Sequence, residues 1–377
     1  MADPFVLAVF AGPSGGHLFP ALAFGEAFRK KYPESKIFLV TGEKAKAFAA
    51  QLETGIFNEI KYFSDFPLPS GISLRSLRFL LELGRAFIFS SRFLSNIKPD
   101  LCVGFGSYVA YPGLVLAKRR KIPVVIHEQN LIPGKATSQL VRIADGVAVT
   151  FDETFRETPL PCRQKVGLPL RASLQGAALC EKKKGSREFF QILIVGGSQG
   201  ARRLNEVVLE SFSQFSSEEK GEIAVIHITG KADYERINQG YRRLGLRAEV
   251  YPFFDRIAEL YQRADLAVTR AGANTLFELA AFKLPAIVVP YPYAGAHQKA
   301  NADFFAVQGA VVVCEEAALD SQWLLNEIRS FQKDVNRRSQ MAESLARLGV
   351  PDAAEKLVQL TEKFLLKEEL WAPSLTT

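Results

Sequence analysis

Short runs of Val, Ile, Leu, Phe and Ala alternate along the chain with longer stretches whose apolar residues recur at helical spacing. The runs are Phe5–Phe10, Ile37–Val40, Leu101–Val103, Val124–Ile126 and Val147–Val149. They resume with Ile192–Val195, Ala224–Ile228, Ala248–Tyr251, Leu266–Val268, Ala286–Val289 and Val311–Val313. A strand without polar alternation is buried on both faces, so runs of this kind separated by helices predict a parallel sheet covered on both sides. The fold class is α/β.

The pattern begins twice. After Val149 it lapses into a Pro-containing stretch, TPLPCRQKVGLPLR, and then a basic one, EKKKGSRE. A new strand, Gln191–Val195, then runs into GGSQGARRLNE and repeats the opening order of strand, glycine turn and helix. This predicts two doubly wound, Rossmann-like domains joined near residues 160 to 170: 1–163, then 164–348. Residues 349–377 supply a C-terminal helix and a tail. Within Asp352–Glu369, Ala353, Leu357, Leu360 and Phe364 lie at helical spacing, which suits packing back on the first domain. Ligands of such sheets sit beyond the carboxyl ends of the strands, so two facing domains would share a cleft.

Composition narrows this little. With 377 residues, 48% hydrophobic and 23% charged, the chain can bury full cores. Cys102, Cys162, Cys180 and Cys314 have no metal-like spacing, which suits a reducing compartment. The start carries no secretory pattern, because the apolar strand begins at once and ends in glycines. The formal charge of +7 suits nucleic acid, an anionic membrane or phosphorylated substrates alike. Nucleic acid is the least expected, since the basic residues are not interleaved with aromatics along one module.

One charged segment changes the picture. ISLRSLRFLLELGRAFIFSSRFL, residues 72–94, is rich in Leu, Phe and Ile but is interrupted by Arg75, Arg78, Glu82, Arg85 and Arg92. Crossing a bilayer takes about 20 apolar residues, which these arginines forbid. Two readings remain. Leu74, Leu77 and Leu81 can pack on the sheet, or part of the segment can dip between lipids while its arginines, helped by Lys118-Arg-Arg-Lys121, meet anionic head groups.

The candidate chemistry sits where strands end in glycine. AGPSGGHLFPALA follows the first strand, and Gly196–Gly200 follows the first strand of the second domain. Glycine lets backbone N–H groups crowd an oxyanion, and the next helix adds the positive end of its dipole. Neither loop is a P-loop, and either can be a plain tight turn. A third segment, Thr269–Pro290, ends a strand in Arg270-Ala-Gly272. Asn274 and Thr275 then stand where helix caps are expected, and Glu278 is three residues past Thr275, near capping-box spacing. Glu278 is either that structural cap or a carboxylate that holds ribose hydroxyls. His297, Gln298 and Asn301 follow another strand end and either read sugar hydroxyls or are ordinary surface residues.

Taken together, GPSGGH with FPALA, GFGSYVAYPG at Gly104–Gly113, IPVVIHEQN at Ile122–Asn130, GGSQGA, RAGANTLFE and HQKANA resemble, in order and spacing, the MurG family. The likeness spans roughly residues 4 to 365. It implies a glycosyltransferase B fold at the cytoplasmic face of the bacterial plasma membrane. It also implies inverting transfer of N-acetylglucosamine from UDP-N-acetylglucosamine to the 4-hydroxyl of the muramoyl sugar of lipid I, giving lipid II without a metal or other cofactor. The implied partners are those two substrates, an anionic membrane surface and other cell-wall synthesis proteins. By motif, Ser198 would contact the diphosphate and Phe254 the uracil. Ala273, Asn274 and Thr275 would line the diphosphate and sugar, Glu278 would hold the ribose, and Gln298 would read the sugar. Ser14, Gly15, Gly16, Asn130 and Arg171 would complete the cleft. The chain departs from the family in having Ser14 for Thr, Leu168 for the Asn of Asn-Pro, and Phe254 for Ile.

Within that frame His17 is the candidate base. The positive end of the helix it opens disfavours imidazolium and should lower its pKa from about 6.5, leaving the ring neutral near pH 7. Glu128 is the candidate to orient or assist it, and His127 reads as structural. Alternatives are a lipid glycosyltransferase with another acceptor, a UDP-sugar 2-epimerase of the same architecture, or a non-catalytic UDP-sugar-binding protein.

Overall fold

The computed structural model describes residues 4–52, 55–64, 74–180, 189–196, 201–292 and 296–366, with backbone alone at 74–78. Two compact units emerge: residues 1–172 with 350–377, and residues 173–349.

The first unit holds a parallel seven-stranded sheet in the order β3-β2-β1-β4-β5-β6-β7. Its strands are β1 (Val6–Phe10), β2 (Lys36–Gly42), β3 (Glu59–Phe63), β4 (Leu101–Gly104), β5 (Val124–Glu128), β6 (Gly146–Val149) and β7 (Arg163–Lys165). The central strands are the apolar runs. Leu7 to Phe10, Leu101 to Val103 and Val124 to Ile126 are all fully buried, with one side of the sheet packing against Phe24 and Phe28 and the other against Phe93 and Leu114. Register is regular, with Ala8 opposite Phe38 on one side and Cys102 on the other.

Two strands escape the apolar pattern, and both are edges. β3 reads EIKYF and β7 reads RQK, and neither has a fully buried residue. An edge strand borders one neighbour and solvent, so polar side chains cost little there. The Pro-containing stretch is therefore part of the first unit, which runs on to Ala172 rather than ending at residue 163. Val166, Leu168 and Leu170 are buried in it.

The Ala353–Leu365 helix belongs to this unit too, packed against the Gly15–Lys31 helix. Leu357 and Leu360 are fully buried and Phe364 nearly so, each contributing roughly 1.5–3 kcal/mol. At the rim Glu362 accepts from the Tyr32 hydroxyl at 2.6 Å and pairs with Lys31 at 2.5 Å. Burial, reinforced by Glu362, pushes the Tyr32 phenol up to about 12.

The second unit repeats the plan with six parallel strands in the order β10-β9-β8-β11-β12-β13. These are β8 (Phe190–Val195), β9 (Ile223–Ile228), β10 (Ala248–Tyr251), β11 (Leu266–Thr269), β12 (Ala286–Val288) and β13 (Val312–Val313). Relabelled from its own first strand, this is the order 3-2-1-4-5-6 of the first six strands of the other sheet. In both units the chain leaves the central pair in opposite directions, between β1 and β4 and between β8 and β11. That divergence is the topological switch point, where ligands of such sheets bind.

From residue 74 on, the 72–94 segment lies in the Leu74–Ile97 helix. Leu81 is 59% exposed, so the expectation that it packs on the sheet fails. Leu80 and Ile88 are similarly exposed, while Phe93 and Leu94 face the core. Leu74, Leu77, Arg75 and Arg78 fall among the residues described by backbone alone. Among the described residues no helix is long and apolar enough to cross a membrane.

Candidate active site

At the switch point of the first unit, β1 leads into Gly12 and β4 into Gly106. The Gly15–Lys31 helix starts between them, and His17 is its third residue. The imidazole is held edge to edge by the two glycines. A Cβ on Gly12 would stand 2.5 Å from His17 Cδ2, and one on Gly106 would stand 3.1 Å from Cε1. Gly106 also has φ +82°, a conformation that side chains resist. The glycines first read as an oxyanion cradle therefore also make room for a ring.

His17 Nδ1 lies 3.2 Å from Gln129 Oε1. The Gln129 amide nitrogen lies 3.0 Å from the His127 carbonyl and 3.2 Å from His127 Nδ1, and His127 Nε2 lies 2.9 Å from the Gly167 carbonyl. His127 and Gln129 are fully enclosed. Burial pulls the His127 pKa down to about 4, only partly offset by its bond to Gly167, so the ring is neutral at ordinary pH.

Glu128 does something else. One carboxylate oxygen accepts from the Asn130 backbone N–H at 2.9 Å and its side-chain amide at 3.2 Å, and the other accepts from Gly134 N–H at 3.3 Å. The carboxylate thus closes the loop after β5, and Gln129 rather than Glu128 meets His17. Alternation was the available signal: residues two apart on a strand share a face, so Gln129 falls on the side of His127 and Glu128 on the other.

Ser14 is the exposed N-cap of the His17 helix, and its hydroxyl makes no capping bond. Gly15 and Gly16 form the first helical positions. Arg171 is nearly buried, with its guanidinium 4.3 Å from the Phe19 ring centroid, one turn along the same helix.

At the switch point of the second unit, the Thr269 hydroxyl of β11 donates to the Val195 carbonyl of β8 at 3.0 Å. Gly196 follows β8, and Ser198 lies outside the described residues. After β11 the Ala273–Phe282 helix begins with Gly272 as its N-cap. Asn274 and Thr275 are therefore its second and third residues, not caps, and glycine takes the position because it too is tolerated there. Glu278 becomes the sixth residue, too far in for a capping box. Glu278 is 7% exposed, and its carboxylate accepts from the Tyr261 hydroxyl at 2.8 Å.

Gln298 ties two strand ends together, because its carbonyl oxygen accepts from Ala271 N–H at 3.2 Å and Tyr291 N–H at 2.9 Å. Asn301 is fully buried rather than a surface residue. Phe254, half-buried after β10, rests on Tyr251 with ring centroids 4.8 Å apart.

Both halves match known families. Residues 7–149 match the glycosyltransferase family 28 N-terminal domain and residues 191–357 its C-terminal domain. A UDP-N-acetylglucosamine–N-acetylmuramyl-(pentapeptide) pyrophosphoryl-undecaprenol N-acetylglucosamine transferase of Desulfotalea psychrophila is 35% identical over 361 residues, covering 95% of this chain and 96% of that protein. Its namesake from Geobacter sulfurreducens is 33% identical, covering 96% and 100%. Among solved structures, MurG of Acinetobacter baumannii aligns with a TM-score of 0.74 at 28% identity, covering 96% of this chain and 100% of that one. A UDP-N-acetylglucosamine 2-epimerase shares the fold at TM-score 0.68 and 14% identity, covering both chains fully. The chain belongs to the UDP-N-acetylglucosamine–N-acetylmuramyl-(pentapeptide) pyrophosphoryl-undecaprenol N-acetylglucosamine transferase family, within glycosyltransferase family 28.

Proposed function

We propose that this protein transfers N-acetylglucosamine from UDP-N-acetylglucosamine to the 4-hydroxyl of the muramoyl sugar of lipid I, with inversion, forming lipid II. The observation that carries the reading is His17, held by two glycines and an amide at the carboxyl end of the central strands.

In the reaction the acceptor oxygen attacks the anomeric carbon and its proton passes to neutral His17. The bond from that carbon to the β-phosphate oxygen breaks, and its electron pair leaves with UDP. Attack opposite the leaving group inverts the anomeric centre. The second unit holds the donor. Glu278 accepts from the ribose hydroxyls, Phe254 lies against the uracil, and Gln298 presents its amide to the sugar. The first turn of the Ala273–Phe282 helix directs N–H groups and the positive dipole end at the diphosphate, joined by the loop that carries Ser198. The charge of the leaving group is met by these donors, and no step is assigned to a metal. Ser14, Gly15, Gly16, Asn130 and Arg171 surround the acceptor.

We also place the first unit against the cytoplasmic face of the plasma membrane. Exposed Leu80, Leu81 and Ile88 share the Leu74–Ile97 helix with Arg85 and Arg92, and Lys61 lies beside that surface. Apolar side chains with a basic fringe suit an anionic lipid interface. Of the second basic group, Lys118 pairs with Asp145 at 2.5 Å and Arg120 donates to Ser91, so both already serve the fold.

The test uses purified protein, labelled UDP-N-acetylglucosamine and a short-chain lipid I analogue. A disaccharide product is expected. Conversion of the donor alone into its 2-epimer, without a disaccharide, would replace this reading with the epimerase one.

A further inference from the structure

The histidine expected to be merely structural and the glutamine that the motif reading passed over form one continuous relay. It starts from an atom of fixed character. The Gly167 carbonyl can only accept, and it lies 2.9 Å from His127 Nε2. Buried His127 is neutral and carries one proton, so that proton is on Nε2 and its Nδ1 must accept. The group facing Nδ1 is one end of the Gln129 amide, which also lies 3.0 Å from the His127 carbonyl. Two acceptors on one side leave a single satisfactory orientation, with the NH2 end toward His127 and the oxygen toward His17. An acceptor oxygen 3.2 Å from His17 Nδ1 then requires a proton on Nδ1. Neutral His17 consequently bears its lone pair on Nε2.

Each link is fixed by packing. Gly167 takes φ +87° against Val350, which sets its carbonyl, and Gln129 and His127 are buried. The Gly12 and Gly106 backbones confine the His17 ring, which keeps Nδ1 turned to the amide.

We propose that Gln129 is a positioning residue that holds His17 in the Nδ1–H tautomer, through a relay anchored at the Gly167 carbonyl, so that Nε2 takes the acceptor proton. Gln129 touches no reacting atom; it decides which nitrogen is basic and accepts a hydrogen bond from the imidazolium as it forms. The logic is that of an amide behind a catalytic histidine, where the partner of one ring nitrogen sets the job of the other. The proposal rests on His17 being the base, but the tautomer itself can be observed without turnover.

The chain has four histidines, His17, His127, His227 and His297. Imidazole proton–nitrogen correlation spectra of the full-length protein labelled with 15N-histidine at pH 8 would resolve them, with the His17 signals assigned by their loss in His17→Gln. His17 is expected to show a protonated-type Nδ1 and an unprotonated-type Nε2, and His127 the reverse. A protonated Nε2 on His17 in the wild type overturns the proposal. In Gln129→Met, of similar length but without the amide, the His17 signals should move toward a tautomer mixture. Its kcat should fall about 10-fold while the donor KM stays within two-fold, which a general loosening of the fold would not do. A Gln129→Met enzyme with wild-type kcat also overturns it. If His17→Ala kept its turnover while His17 in the wild type was the Nδ1–H form, the base assignment would be the part that failed.

Discussion

The two switch points share a topology and differ in what fills it. In the first unit, the gap beyond β1 and β4 holds a titratable ring whose orientation is set by a chain of neutral hydrogen-bonding groups. In the second, the gap beyond β8 and β11 holds a helix N-terminus, a carboxylate supported by Tyr261, and an amide bonded to backbone. One arrangement suits moving a proton and the other suits gripping a charged, hydroxyl-rich ligand. Strand order thus selects the place, and a few side chains behind it select the task.

That contrast breaks most readily on the first side. Gly12→Ala would drive a methyl into His17 and into Ser107, whose Cβ would lie 2.6 Å away, with the ring unable to retreat past Gly106. Misplacing a reacting group by about 1 Å can cost about 10²-fold. Steady-state kinetics should show kcat falling by about that factor with donor affinity little changed. Glu278→Gln should do the opposite, raising the donor KM about 10- to 100-fold while kcat stays within a few-fold, because hydrogen bonds to a charged group are worth about 1.5–3 kcal/mol. If Glu278→Gln lowered kcat alone, the division of labour between the units would be wrong.

A finer test removes the support behind that carboxylate. Tyr261→Phe deletes one donor to Glu278 and should weaken UDP binding by a few-fold, measurable by titration with UDP. The smallest effect at neutral pH concerns stability. His127 and His227 sit neutral in the two units, with burial pulling their pKa values to about 4 and about 3. Both folded values lie below the unfolded value of about 6.5, so the unfolded chain binds more protons in between. The stabilisation is complete above pH 6.5 and is lost as pH falls through 4 and then 3. Urea midpoints should be flat from pH 8 to 7 and decline below about 6.5, and an unchanged midpoint at pH 4.5 would contradict both burials.

Most of the fold was legible because central strands are continuous apolar runs, and only their covered position explains such runs. β3 and β7 were hidden because edges tolerate Lys, Glu, Arg and Gln. The glycine loops announced the switch points, since few other residues allow backbone so close to a ring or a ligand. Gln129 was obscured by its neighbour Glu128, a residue that looks more chemical but holds a loop. The start of the helix after β11 was misread because Gly272 caps it without a side chain, which moved Glu278 from a cap to a buried carboxylate.

The central claim is that His17 takes the proton of the acceptor hydroxyl. The most direct measurement is disaccharide formation by His17→Ala at saturating substrates, with UDP-N-acetylglucosamine binding followed in parallel. Turnover should drop about 10²- to 10⁴-fold with binding intact. Turnover within a few-fold of wild type, with the donor still bound normally, would contradict it.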